Sequence, residues 1–318
     1  MFIKNSRLFE MARLGRFPRH WTYPTGVLVY AEIIPVIAAF CLFPLLLAAT
    51  LSGAISVDNL LNPSADAGLS LELIVSFAPI FFLVWGWLWL FERRKPWTIG
   101  LEGKGWFYKY LRGLLFGLLL FGAVVGVLAL LGGIKIETDP AIPTGGAALS
   151  GVVLVLTGWL VQGAAEETLT RGFVLPVIGV RWGAAIGILL SSVLFASLHL
   201  LNPGINAIAM LNLALFGVFA ALYALSEGGL WGVFAIHSAW NWAQGNLFGL
   251  PVSGMATGKT LLNLQATGPT WLTGGSFGPE GGLAVTAVLI AASTVIVLVH
   301  FRQSPDSAEP LQPQSSPN

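Results

Sequence analysis

The chain has 318 residues, of which 55% come from the set AVILMFWYC, and it carries 38 glycines. Only 10% are charged, 16 basic against 15 acidic, where ordinary globular proteins carry about 25%. That excludes a pair of soluble domains, whose surfaces need far more charge, and it leaves no broad basic face for a nucleic-acid partner.

Residues 1–26 read as a cytosolic basic arm holding Lys4, Arg7, Arg13, Arg16 and Arg19. No small-residue cleavage site follows the first apolar stretch, so no cleavable signal peptide is expected. Leu8, Phe9, Met11 and Leu14 among those bases suit either an interfacial helix or an unstructured arm. A bilayer core takes about 20 apolar residues per helix. On that measure an all-α, polytopic membrane bundle of about eight spans is predicted over 27–302: Val27–Leu51, Leu71–Phe91, Leu111–Leu131, Leu149–Ile178, Gly183–Leu200, Ile205–Leu225, Leu230–Gln244 and Leu283–Phe301. The fourth carries charges and the seventh is short. Cys41, the sole cysteine, rules out a disulfide framework and reads as an inert packed thiol. The Pro/Ser-rich tail 303–318 reads as disordered.

Lysines and arginines set the orientation. With the N-terminus inside, the inner segments hold the five N-terminal bases, Arg93, Arg94, Lys95, Lys104, Lys109, Arg112, Arg181 and Arg302, thirteen of the sixteen. Outer loops hold Lys135 and Lys259, and Arg171 lies within a span. Both termini are therefore expected in the cytosol, with the chain integral to the plasma membrane of a prokaryote. The glycine pairs Gly113/Gly117, Gly122/Gly126 and Gly183/Gly187 let helices approach closely. The outer loop contains Gly254-Met-Ala-Thr-Gly258-Lys259-Thr260. It has one residue too few between its glycines for a phosphate loop and follows no strand, so it is set aside.

Each ionised residue at the bilayer centre costs about 2.5–3.5 kcal/mol on insertion scales, which makes such residues functional candidates. They concentrate at Glu166, Glu167 and Arg171. Glu167 and Arg171, four apart with the acid first, share a helix face and suit a structural ion pair. Glu166 is turned about 100° away and lacks a partner in its own helix. His199 follows Phe195 by four residues, and His237 precedes Asn241 by four. His20 and His300 fall in the basic arm and at the last membrane boundary, where solvated roles suffice.

Glu166-Glu167-x-x-x-Arg171, Phe195-x-x-x-His199 and His237-x-x-x-Asn241, in that order within the motif region 149–245, resemble the three motifs of the CAAX-protease and bacteriocin-processing family of intramembrane proteases. The Arg-Gly-Phe continuation fits as well. The resemblance implies hydrolysis of a peptide bond in a membrane-associated protein or peptide, lipidated or not. In that scheme Glu166 and His199 polarise water, while His237 and Asn241 bind the oxyanion. Thr170, one turn beyond Glu166, either hydrogen-bonds into the site or bonds its own helix backbone. Two histidines and a glutamate (Glu166, His199, His237) would also suit catalytic zinc, and the family has been called a metalloprotease group. If all three bound zinc, the base left over would be Glu167, which spacing ties to Arg171. The His-Glu-x-x-His helix is absent. The expectation is a glutamate-type peptidase requiring no cofactor, with a zinc-dependent metalloendopeptidase as the alternative.

Counted up from the inner turns, Glu166, His237 and Asn241 lie about 18, 10 and 16 Å deep and His199 about 24 Å, so the fifth helix must tilt or its turn sit lower. Two other classes compete. A transporter or channel would use the buried Glu/His set as a relay, but the two halves show no internal repeat. A non-catalytic membrane scaffold would tolerate Glu166→Gln.

Overall fold

A computed structural model of the protein describes residues 6–16, 22–53, 66–137 and 144–302. Lys4, Arg19, His20 and the tail 303–318 lie outside the described residues, as do the side chains of Cys41, His300 and Arg302. The chain runs through α1 (Arg7–Ala12), α2 (Thr22–Leu51), α3 (Asp66–Trp87) and α4 (Trp106–Leu130), then β1 (Ile134–Ile136). It continues through α5 (Leu149–Glu167), α6 (Leu175–Trp182), α7 (Ala184–Ser197), α8 (Ala207–Glu227) and α9 (Trp231–Trp242). After β2 (Leu264–Ala266) and the short α10 (Thr270–Thr273), α11 (Leu283–Arg302) closes the described chain. The only sheet among the described residues is the antiparallel pair β1–β2, with Lys135 opposite Gln265.

Among the described residues five helices are long and apolar enough to cross a membrane: Thr22–Phe40, Gly68–Glu92, Trp106–Leu130, Gly145–Trp182 and Ala207–Glu227. Ala184–Ser197 and Leu283–Val299 are apolar but shorter, and Trp231–Trp242 has 12 residues before its helix widens into a π segment, Ala243–Leu247. The eight predicted apolar stretches are helical among the described residues; α7 and α9, at 14 and 12 residues, are shorter than a full bilayer crossing, whereas α11 runs for 20.

The predicted basic arm forms the helix α1. Leu8, Phe9 and Met11 are no more than 1% exposed and pack into the bundle, whereas Leu14 is 64% exposed. Burying side chains of this size stabilises by roughly 1.5–3 kcal/mol each. Ser6 Oγ donates to the Leu225 carbonyl at 2.8 Å and Arg7 to Glu102 at 2.7 Å, which fixes the helix over the ends of α6 and α8. Glycine at 179 accommodates this docking, because a Cβ there would strike the Phe9 ring.

One of the three glycine pairs works as predicted. A Cβ on Gly113 would run into the Gly232 carbonyl, and one on Gly117 into that of Ile236, so α4 lies directly on α9. Gly122 and Gly126 face open space instead. Gly187 meets α6 at Gly179, whereas Gly183 serves as a turn with φ +98°. Helix α2 contains Pro35 and Pro44, and α3 contains Pro79. The loop segment 254–260 bends back on itself through a Val252–Met255 bridge, and Asn246 Nδ2 donates to the Thr257 and Lys259 carbonyls at 3.0 Å. No helix follows it, in keeping with its dismissal as a phosphate loop.

Candidate active site

Helix α5 carries Gln162, Glu166 and Glu167 on its last turns. At Thr168 it widens into a π segment, Thr168–Val174, a distortion that recurs at functional sites. The local sequence supplies a cause. Thr170 Oγ1 donates to the Glu166 carbonyl at 2.6 Å, taking the acceptor that a regular i→i−4 backbone bond would use. Of the two readings of Thr170, the bond to its own helix backbone is the one realised.

The Glu167–Arg171 pair forms as the spacing predicts, with Arg171 Nη1 to Glu167 Oε1 at 3.0 Å and both side chains fully buried. Arg171 also donates to Thr170 Oγ1 at 2.6 Å and lies 4.6 Å over the Phe195 ring. The sequence gives no hint of a third partner. His237 Nδ1 sits 2.9 Å from Glu167 Oε1. A carboxylate only accepts, so Nδ1 carries the hydrogen and Nε2 is turned away from Glu167. That Nε2 lies 3.7 Å from Glu166 Oε2, too far for a hydrogen bond.

Glu166 is therefore the unpaired acid that the sequence predicts: its Oε2 is buried and has no hydrogen-bond partner among the described residues. It lines a cavity of about 310 Å³ together with His199, His237, Asn241, Gln162 and Glu280. His199 stands in the turn after α7, and its Nδ1 lies 2.8 Å from the Phe195 carbonyl. The carbonyl can only accept, so this imidazole holds its hydrogen at Nδ1 and keeps Nε2 as an acceptor. Phe195 is the spacer between the imidazoles, with ring centroids 4.9 Å from His199 and 5.9 Å from His237. Asn202 Nδ2 donates to the Ser253 carbonyl at 3.1 Å, and Gly254 packs on Pro203, so the loop 245–282 covers it.

Two cavity residues escape the sequence reading. Gln162 Oε1 accepts from Asn241 Nδ2 at 2.9 Å, using one amide hydrogen and leaving the second. Gln162 precedes Glu166 by four residues, so the helical spacing that links the other motif residues could have exposed it. Glu280 comes from the roof. Its Oε2 accepts from the Ser253 N–H at 2.7 Å, Ser253 Oγ at 3.1 Å and Gln244 Nε2 at 3.2 Å. Burial pushes its carboxyl above the usual carboxylate range; these donors and nearby His199 oppose the shift. Nothing local in a Gly-Pro-Glu-Gly loop marks it.

The zinc alternative requires Glu166, His199 and His237 to converge. Among the described residues no three His, Cys, Asp or Glu side chains come together closely enough to hold a metal ion.

Comparison with known proteins agrees with the motif reading. Residues 148–243 match the family model of the Rce1-like type II CAAX prenyl endopeptidases. No curated protein and no solved structure gives a significant match. The matched segment begins at the start of α5 and ends just past Asn241, so it holds all three motifs, whereas the roof with Glu280 lies beyond it. The stretch 148–243 of this apolar helical bundle is thus similar to the Rce1-like type II CAAX prenyl endopeptidases.

Proposed function

We propose that the protein is an intramembrane endopeptidase in which Glu166 and His199 activate a water molecule and His237 and Asn241 hold the oxyanion. The observation that carries this reading is the buried, unpartnered Glu166 carboxylate facing a cavity shared with both imidazoles. We place a water between the Glu166 carboxylate and the His199 Nε2, two acceptors that line one cavity and can draw its protons. Attack on a peptide carbonyl moves negative charge onto its oxygen. Asn241 offers the amide hydrogen that Gln162 does not use. His237 Nε2 can donate once protonated, and the Glu167 carboxylate at its Nδ1 is the counter-charge for that imidazolium. The proton taken from water then passes to the leaving amine, as peptide hydrolysis requires.

Glu166→Gln keeps the shape and removes the basicity. Cleavage of a membrane peptide by purified protein in detergent is expected to fall by at least about a hundredfold, with the melting temperature unchanged. Full activity in that variant would refute the assignment and favour the scaffold reading. A chelator added to the wild-type assay is expected to leave the rate unchanged.

A further inference from the structure

We propose that a pocket at the end of α3, lined by Trp85, Trp89, Arg93, Arg94, Lys95 and Pro96, binds the phosphate of an anionic phospholipid whose chains lie along the neighbouring aromatic face of that helix. The pocket measures about 430 Å³ and shares no lining residue with the catalytic cavity, although Ser76, Phe77 and Ile80 of the same helix border the latter.

Helix α3 runs into a π segment, Leu88–Glu92, after which Arg93 takes a left-handed conformation with φ 55° and ψ 33°. That conformation is uncommon outside glycine. Around it burial alternates, with Arg93 and Lys95 exposed and Arg94 turned inward at 5% exposure. Arg94 Nε donates to Glu92, and Nη1 donates to the Thr98 carbonyl and hydroxyl at 3.1 and 3.0 Å. Its Nη2 holds two further hydrogens, yet is buried with no hydrogen-bond partner among the described residues. Trp85 Nε1 is in the same condition. Indole and guanidinium nitrogens only donate, so both residues lack an acceptor, and a buried donor left unpaired is costly. Basic residues at a helix C-terminus ordinarily serve its carbonyls. That role accounts for the charges, but not for two unused donors on residues of one pocket.

Charge and surroundings select the ligand. The Arg94 charge is met by Glu92, whose other oxygen accepts from the Tyr23 hydroxyl at 2.8 Å. Arg93 and Lys95 therefore supply the positive excess of the pocket. A phosphodiester brings acceptor oxygens for the two donors and a negative charge for the two exposed bases. A lipid fits better than a free anion. Phe82 and Trp89 are 69% and 71% exposed, and the Phe82 ring meets that of Trp85 edge-on at 5.9 Å. Spacings of three and four residues put all three rings on one face of a helix long and apolar enough to cross a membrane. Tryptophan beside arginine and lysine at the end of a span suits the headgroup layer, and basic pockets at that level take anionic headgroups.

The test titrates phosphatidylglycerol, phosphatidylcholine or inorganic phosphate into the purified full-length protein in detergent and reads binding as the rise in melting temperature. Phosphatidylglycerol should give a saturable rise at concentrations where phosphatidylcholine, whose choline cancels the charge, gives none. Inorganic phosphate should need at least about tenfold more, because it has no chains to lay on the aromatic face. Trp85→Phe keeps a ring and removes the donor; it should weaken phosphatidylglycerol binding about tenfold. Arg93→Gln combined with Lys95→Gln alters exposed positions only, should weaken binding by a similar factor, and carries the test if Trp85→Phe folds poorly. Equal responses to the two lipids, or unchanged phosphatidylglycerol binding in either folded variant, would overturn the proposal. Inorganic phosphate acting as strongly as phosphatidylglycerol would overturn the choice of a lipid and leave a free anion as the ligand.

Discussion

A single oxygen, Oε1 of Glu167, takes hydrogen bonds from both Arg171 and His237. It is therefore both a structural partner and the group that sets the tautomer of a proposed catalytic imidazole. Removing either side of the fully buried ion pair strands the other charge, which costs about 3–5 kcal/mol. Glu167→Ala and Arg171→Ala are expected to lose folded yield as well as activity, read by size-exclusion profile and thermal unfolding in detergent. Glu167→Gln should differ, keeping an acceptor for His237 but losing the counter-charge, so activity falls more than stability. Normal folding and full-rate cleavage by Arg171→Ala would refute the division of labour between the glutamates. The i,i+4 pair was legible in the sequence because helix geometry fixes it. The Glu167–His237 contact spans 70 positions and depends on α9 lying against α5, which no local spacing encodes.

At the scale of elements, close approach and burial decide what each helix contributes. Gly117→Leu should push α4 off α9 and destabilise by about 1–3 kcal/mol or more, since overpacking forces backbone shifts; Gly122→Leu, facing open space, should be near neutral. Thermal unfolding of the two variants side by side makes the comparison. Identical spacing gave no way to tell these pairs apart, because the sequence reports periodicity and not which face meets a neighbour. The roof element offers a pH test. Glu280 has its carboxyl raised above the ordinary 4.5 by burial, so the folded state holds a proton that the unfolded chain releases. Its contribution is present at low pH and diminishes as pH rises from the unfolded value through the folded one. Melting temperature measured from about pH 4 to about pH 8 should therefore fall in the wild type relative to Glu280→Gln.

For the whole molecule, composition was enough to foresee a bundle of apolar helices with almost no sheet. The place of the N-terminal helix was not foreseeable. Four apolar residues among arginines suit a lipid surface as well as a protein groove, and only the small residue at 179 distinguishes them. Phe9→Ala should thus lower stability by about 3–5 kcal/mol and leave kcat/KM of the folded fraction intact, as read by unfolding and by peptide cleavage on the same sample. A variant as stable as wild type would show that α1 does not cap the bundle. Helix α2 has the opposite character. Proline at 35 and 44 supplies no N–H for the carbonyls of Ala31 and Phe40, and Pro35 and Ala39 border the cavity. With Pro79 in α3, which lines the same cavity, the wall beside the reacting groups is one whose backbone ladder already has missing rungs. Swinging its distal half outward breaks few bonds, and amide deuterium uptake there should outpace that of α5 and α9.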